Sequence, residues 1–186
     1  MSLLRGPARL ILKLFGWKLL DLPQRPARAV VIAYPHTSNW DFPVTLLALA
    51  ALPYSAKWVA KDTLFRGPLG PLMRALGGVA VNRRERTGFV ERLADEFRRR
   101  KQFHLIMATE GTRRLQAGWK SGFYRIAVAA GVPVVMATVD YGKHEVGLLT
   151  SIALSGDEAA DMAAIAACYE GRTGYHHQNA SPIRLL

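Results

Sequence analysis

Along this chain, short apolar runs of strand length alternate with longer stretches whose apolar residues recur at helical spacing. Ala29–Tyr34 (AVVIAY) is rich in β-branched residues and stops just before Pro35-His36, which predicts a buried strand. A helix is predicted to follow over Asn39–Leu52, with Thr37, Ser38 and Asn39 all acceptable as its N-cap. Further strands are predicted at Ala56–Lys61, Gly78–Asn82, Phe103–Ala108, Val132–Tyr141 and Val146–Leu154. Helices are predicted at Thr63–Leu76, Thr87–Lys101, Gly122–Ala130 and Asp157–Tyr169, the first interrupted by Gly67-Pro68 and Gly70-Pro71. This alternation predicts an α/β fold, a single layered domain over residues 1–186 with a largely parallel central sheet flanked by helices. In such sheets ligands sit beyond the carboxyl ends of the strands. His36–Asp41, Asn82–Arg86 and Glu110–Arg114 occupy those positions.

The first twenty residues follow another pattern. No acid occurs among them, and Arg5, Arg9 and Lys13 share one face of a helix whose apolar face holds Leu4, Ala8, Ile11, Leu12, Phe15 and Leu19. Trp17 and Phe15 are rings suited to a lipid headgroup boundary. Residues 1–20 are therefore expected to form an amphipathic helix lying on a membrane surface, and a helix packed on the protein's own core would carry nearly the same pattern.

Composition narrows the class. Half of the 186 residues are hydrophobic, enough to build a core, and one cysteine, Cys168, excludes a disulfide framework and a cysteine-built zinc site. The longest uncharged stretch, Phe42–Ala56, contains Pro43 and Pro53 and is too short to span a bilayer. The net charge of +11 is unevenly placed, with the basic excess in residues 1–30 and 61–144 and an acidic excess in residues 145–186. An anionic partner meeting the earlier part of the chain is implied. Nucleic acid is not the expected partner, because the Arg83–Arg86 loop has no aromatic residues interleaved among its bases.

Four constellations carry candidate chemistry. His36-Thr-Ser-Asn-Trp-Asp41 places a potential general base five residues before a carboxylate able to orient it, although a turn-capping histidine beside an unrelated Asp has the same spacing. Glu110-Gly111-Thr112-Arg113 follows an apolar strand, where an arginine can present its planar fork to a phosphate, and it also reads as a simple turn. Asn82–Arg86 is a basic turn, and Lys120 precedes a helix N-terminus suited to an anion. The sequence has no Gly-x-Ser-x-Gly elbow, Walker loop or Gly-x-Gly-x-x-Gly, and His176-His177 lacks companions for a metal site, so none is expected.

In their order, His36-x-x-x-x-Asp41, Arg83 after a Gly-led strand, Glu110-Gly-Thr-Arg113 and Val132-Pro-Val-Val135 resemble the motif blocks of the glycerolipid acyltransferase family, which includes the 1-acyl-glycerol-3-phosphate acyltransferases. The match runs from Pro35 to about Tyr141 and looks most like a compact bacterial branch of lysophospholipid acyltransferase-like proteins. Thr109 and Met136 stand where the family often has Pro, and Asn82 where it often has Asp. The resemblance implies that His36 deprotonates an acceptor hydroxyl attacking an acyl thioester and that Asp41 orients His36. It implies that Glu110, Gly111, Thr112 and Arg113 form the acceptor pocket, with Arg113 and Arg83 holding a phosphate, and that Val132–Val135 pack near it. Direct transfer of this kind needs no cofactor, metal or covalent acyl-enzyme.

The expectation is therefore a phospholipid-synthesising O-acyltransferase. Its donor is acyl-CoA or acyl carrier protein and its acceptor a lysophospholipid, by default 1-acyl-glycerol-3-phosphate. Its expected place is cytoplasmic, peripheral on the inner face of the cell membrane through residues 1–20. Two other readings stay open: a non-catalytic protein that binds anionic lipid on the same fold, and a thioesterase with water as acceptor.

Overall fold

A computed structural model describes residues 2–53, 55–81 and 88–186. Its strands are β1 (Lys18–Leu20), β2 (Arg28–Ala33), β3 (Lys57–Lys61), β4 (Gly78–Val81), β5 (Phe103–Ala108), β6 (Val134–Asp140) and β7 (Glu145–Ile152). Its helices are α1 (Arg5–Leu14), α2 (Asp41–Ala51), α3 (Gly70–Ala75), α4 (Phe89–Arg99), α5 (Gly122–Ala130) and α6 (Glu158–Cys168). The strands form one sheet in the order β1-β7-β6-β2-β5-β3-β4. Every pair is parallel except β6 with β7, which are antiparallel. The largely parallel sheet is present, and the exception has a local cause. Only residues 141–144 join β6 to β7, too few for the crossover a parallel pair requires.

Period-two alternation divides the core into two layers. Val30 and Ile32 of β2, Leu105 of β5, and Val134 and Met136 of β6 face α4, α5 and α6, where they meet Leu93, Phe97, Phe123, Ile126 and Ile165. Ala29, Val31, Ile106 and Val135 face the other way, toward Leu52, Trp58, Phe65 and Met73. On this second side Ala8 and Leu12 of α1 bury against Ala48 and Ala51 of α2. Because β2 pairs with β5 up to Ala33↔Ala108, the loops that follow these two central strands leave the sheet side by side.

Two expectations need correction. The first twenty residues are not one helix. Helix α1 ends at Leu14, Gly16 takes a left-handed conformation (φ +73°), and Lys18–Leu20 joins the sheet as β1 beside β7. Trp17 consequently turns inward, with its ring 5.1 Å from Tyr141 and 5.4 Å from His144. The helix expected over Thr63–Leu76 is reduced to a 3-10 turn at Asp62–Phe65 and the short α3. Pro68 and Pro71 have no N–H to donate, and Gly67 is left-handed (φ +88°).

Phe97 is wholly buried and packs edge-on against Phe103 at 4.7 Å. Phe97→Ala is expected to cost about 3–5 kcal/mol of unfolding free energy. Urea titration would read this, and a loss below about 1 kcal/mol would show that the layer closes over the gap.

Candidate active site

The turn from β2 into α2 is organised by the first residue of the helix. Asp41 is buried, and its Oδ2 accepts from the Thr37 backbone N–H at 2.9 Å and the Ser38 backbone N–H at 3.0 Å. The same oxygen lies 3.0 Å from His36 Nδ1. A carboxylate can only accept, so Nδ1 carries hydrogen, and in the neutral ring the other nitrogen, Nε2, is left as an acceptor. None of the three residues expected to cap α2 does so. The N-cap position is Trp40, without a side-chain bond, and the Asp41 carboxylate itself gathers the N–H groups that precede the helix. A negative charge in the first turn is favoured by the helix dipole.

Glu110 holds this turn from beneath. It is fully buried, with Oε1 accepting from the His36 backbone N–H at 2.8 Å and Oε2 from the Ser181 backbone N–H at 2.9 Å. Burial raises its carboxyl above the ordinary value, and the hydrogen bonds from His36 and Ser181 act against that rise. Its place is that of an anchor under His36 and not of a group exposed in a pocket.

The rest of the Glu110–Arg113 motif turns upward. Gly111 is left-handed (φ +69°) and its N–H bonds to Ala108 O at 3.1 Å, a reversal that β-carbons resist. Thr112 is partly exposed and Arg113 exposed, and Arg113 is brought to the same cavity as His36 and Asp41. No carboxylate among the described residues pairs with Arg113. Lys120 is exposed and is not among the residues lining that cavity, although its backbone N–H bonds to Thr109 O at 2.9 Å. Arg83, expected to share the phosphate, lies outside the described residues, as does the rest of Asn82–Arg86.

The cavity has a volume of about 390 Å³. Beyond its polar residues the walls are apolar: Phe42, Leu46 and Leu49 from α2, Trp58 from β3, and Leu64 and Ile106. Sequence reading missed these wall residues, although a signal existed. Asn39–Leu52 is apolar on more than one side, as a helix must be when it covers a sheet and lines a cavity at once. Val132–Val135 do not line it, and Val135 lies in the layer beneath with Trp58 and Ile106.

A second omission is the C-terminal segment, which no motif announced. Its His176 N–H bonds to Thr37 Oγ1 at 3.1 Å, and a β-carbon on Gly174 would meet that oxygen at 2.6 Å. Trp119 and Arg184 fasten the same segment through the Trp119 N–H to Arg184 O bond of 2.7 Å. Among the described residues no group of three or more His, Cys, Asp or Glu side chains is placed to hold a metal ion.

The sequence model of the Acyltransferase family matches residues 21–140, a span that holds His36, Asp41 and Glu110–Arg113. No curated protein matches the chain by sequence. In fold the chain is similar to the crystal structure of the 1-acyl-sn-glycerophosphate (LPA) acyltransferase PlsC from Thermotoga maritima. The TM-score is 0.60 at 16% identity, over 90% of this chain and 76% of that one.

Glu110→Gln would set an amide N–H₂ against one of two backbone donors and is expected to cost about 1–3 kcal/mol. Since burial raises the native carboxyl above its ordinary 4.5, the folded chain binds more protons than the unfolded one between the two values. The stability Glu110 contributes is therefore full below 4.5 and declines as pH rises through the folded value. Glutamine does not titrate. Chemical unfolding across that range should show the difference between parent and variant narrowing as pH rises, and a constant difference would contradict the assignment.

Proposed function

The chain belongs to the acyltransferase family and is an acyltransferase, and from that premise we propose that it moves a fatty acyl group from a thioester, acyl-CoA or acyl carrier protein, to the hydroxyl of a lysophospholipid. The observation that carries this reading is the placement of the His36–Asp41 pair and Arg113 on one cavity whose remaining walls are apolar. An acyl chain fits the apolar part, and a phosphate or other anionic group of the acceptor suits the guanidinium of Arg113, which pairs with no carboxylate among the described residues. The default acceptor is 1-acyl-glycerol-3-phosphate.

The transfer step follows from the tautomer. His36 Nε2 takes the proton of the acceptor hydroxyl as its oxygen bonds to the thioester carbonyl carbon. Asp41 Oδ2, on the opposite side of the ring, stabilises the imidazolium that forms. The C–S bond then breaks, and the imidazolium returns its proton to the departing thiolate. Glu110 and the Thr37 and Ser38 N–H groups keep the ring and carboxylate in place without meeting substrate.

Membrane association through α1 belongs to the same proposal. No helix among the described residues is long and apolar enough to cross a membrane. With Ala8 and Leu12 buried, helical spacing leaves Leu10, Leu14, Ile11 and Phe15 as one adjoining arc, and Leu14 and Phe15 are 74% and 73% exposed. Arg9 and Lys13 border the arc, giving the helix an apolar face and a cationic edge suited to anionic headgroups.

Purified protein incubated with acyl-CoA and a panel of lysolipids, with products identified by mass spectrometry, tests the activity. Release of free fatty acid alone would favour water as acceptor, and no thioester consumption would favour a lipid-binding protein. His36→Ala is expected to lower kcat by at least about 10²-fold while the fold is retained. Arg113→Ala should act mainly on acceptor KM, raising it by roughly ten-fold. Undiminished transfer by the His36 variant would sink the mechanism. Replacing Leu10, Leu14 and Phe15 together by Ser should weaken sedimentation with anionic vesicles by at least about ten-fold, and unchanged sedimentation would remove α1 as the membrane contact.

A further inference from the structure

One oxygen of the His36–Asp41 pair has no partner in the turn. Asp41 Oδ2 takes three donors, whereas Oδ1 is buried and has no hydrogen-bond partner among the described residues. The Tyr141 hydroxyl is likewise shut off from solvent without a bond of full geometry. The fold brings the two groups together: the Tyr141 N–H bonds to Thr173 O and its ring meets Tyr175, while the next residue, His176, donates its N–H to Thr37 Oγ1 in the turn that Asp41 gathers. Burial and then the nearby Asp41 charge raise the Tyr141 phenol above its ordinary value. A phenol hydrogen rotates freely enough to satisfy a facing acceptor, and buried polar groups of opposite kind rarely stay unpaired.

Tyr141 is also placed with care. It follows directly on β6, and its backbone N–H bonds to Thr173 O at 2.9 Å. Its ring meets Trp17 edge-on at 5.1 Å and Tyr175 edge-on at 5.1 Å. The chain that follows α1 and the C-terminal segment therefore both pack against its ring, although neither contributes a reacting group.

We infer that Tyr141 is a positioning residue of the acyl-transfer site, its hydroxyl donating to Asp41 Oδ1 and so fixing the carboxylate plane that directs the proton on His36 Nδ1. The terminal torsion of an Asp side chain is broad, so donors on one oxygen hold that oxygen without holding the plane. A donor on the second oxygen removes this freedom. The inference rests on reading His36 as the base and extends that reading to a residue on another strand.

The test compares full-length protein with Tyr141→Phe, which removes only the hydroxyl, and with 3-fluorotyrosine at position 141, which keeps the ring and strengthens the donor. The downfield proton resonance of His36 Nδ1–H, assigned by its loss in His36→Ala, reports the Asp41 contact without any turnover. It is expected to move in Tyr141→Phe and to move the opposite way with 3-fluorotyrosine. In the same proteins kcat should fall roughly ten-fold in Tyr141→Phe with KM for both substrates nearly unchanged, the pattern of lost alignment. Should Tyr141→Phe fail to fold, the fluorinated protein decides by its resonance. A resonance that stays in place in the folded proteins overturns the inference, and so does a kcat that holds while the resonance moves. A parent protein that consumes no thioester would instead defeat the acyl-transfer reading, while the resonance still shows whether Tyr141 meets Asp41.

Discussion

A carboxylate buried at the mouth of a helix needs donors, and the course of the chain around His36 is shaped by that need. Asp41 sits in the first turn of α2, and its Oδ2 takes the donors of the turn that brought the chain off β2. For Thr37 and Ser38 to present their N–H groups to one oxygen, the backbone must fold over Asp41, and this fold carries the His36 ring onto the same oxygen. The geometry of the His36–Asp41 pair and helix initiation are thus one arrangement. Glu110 repeats the device from the neighbouring strand by taking the His36 N–H. Two buried carboxylates, each satisfied chiefly by backbone, hold a single histidine.

The uneven charge of the sequence also acquires a structural meaning. Several acids of the last part of the chain are consumed internally. Asp140 and Glu145 pair with Arg172, Glu145 also pairs with Lys18 of β1, and Asp161 accepts from Ser155, Gly156 and Tyr124. Asp157 caps α6. Those charges fasten the sheet edge and the last helix.

Much of the fold was legible because its elements are locally consistent. β2, β5 and β6 are apolar enough to be read as buried strands, and α5 begins and ends where Gly122 and Gly131 place it. The pair His36 and Asp41 was legible because both lie in one turn. What failed to show in the sequence depends on distance along the chain. Ser181 reaches Glu110 and His176 reaches Thr37 only once the sheet has formed, and no spacing rule encodes such contacts. The first twenty residues misled for a related reason. The periodicity of α1 is real, but pairing with β7 takes Lys18–Leu20 out of the helix, and tertiary pairing overrides local pattern.

The late position of the C-terminal segment has a consequence for the life of the protein before it is finished. His36 and Asp41 emerge early from the ribosome, yet the groups that brace Glu110 and Thr37 lie 71 and 139 residues further along from them. A nascent chain therefore carries the His36 turn for a time before the segment that braces Thr37 and Glu110 has been made.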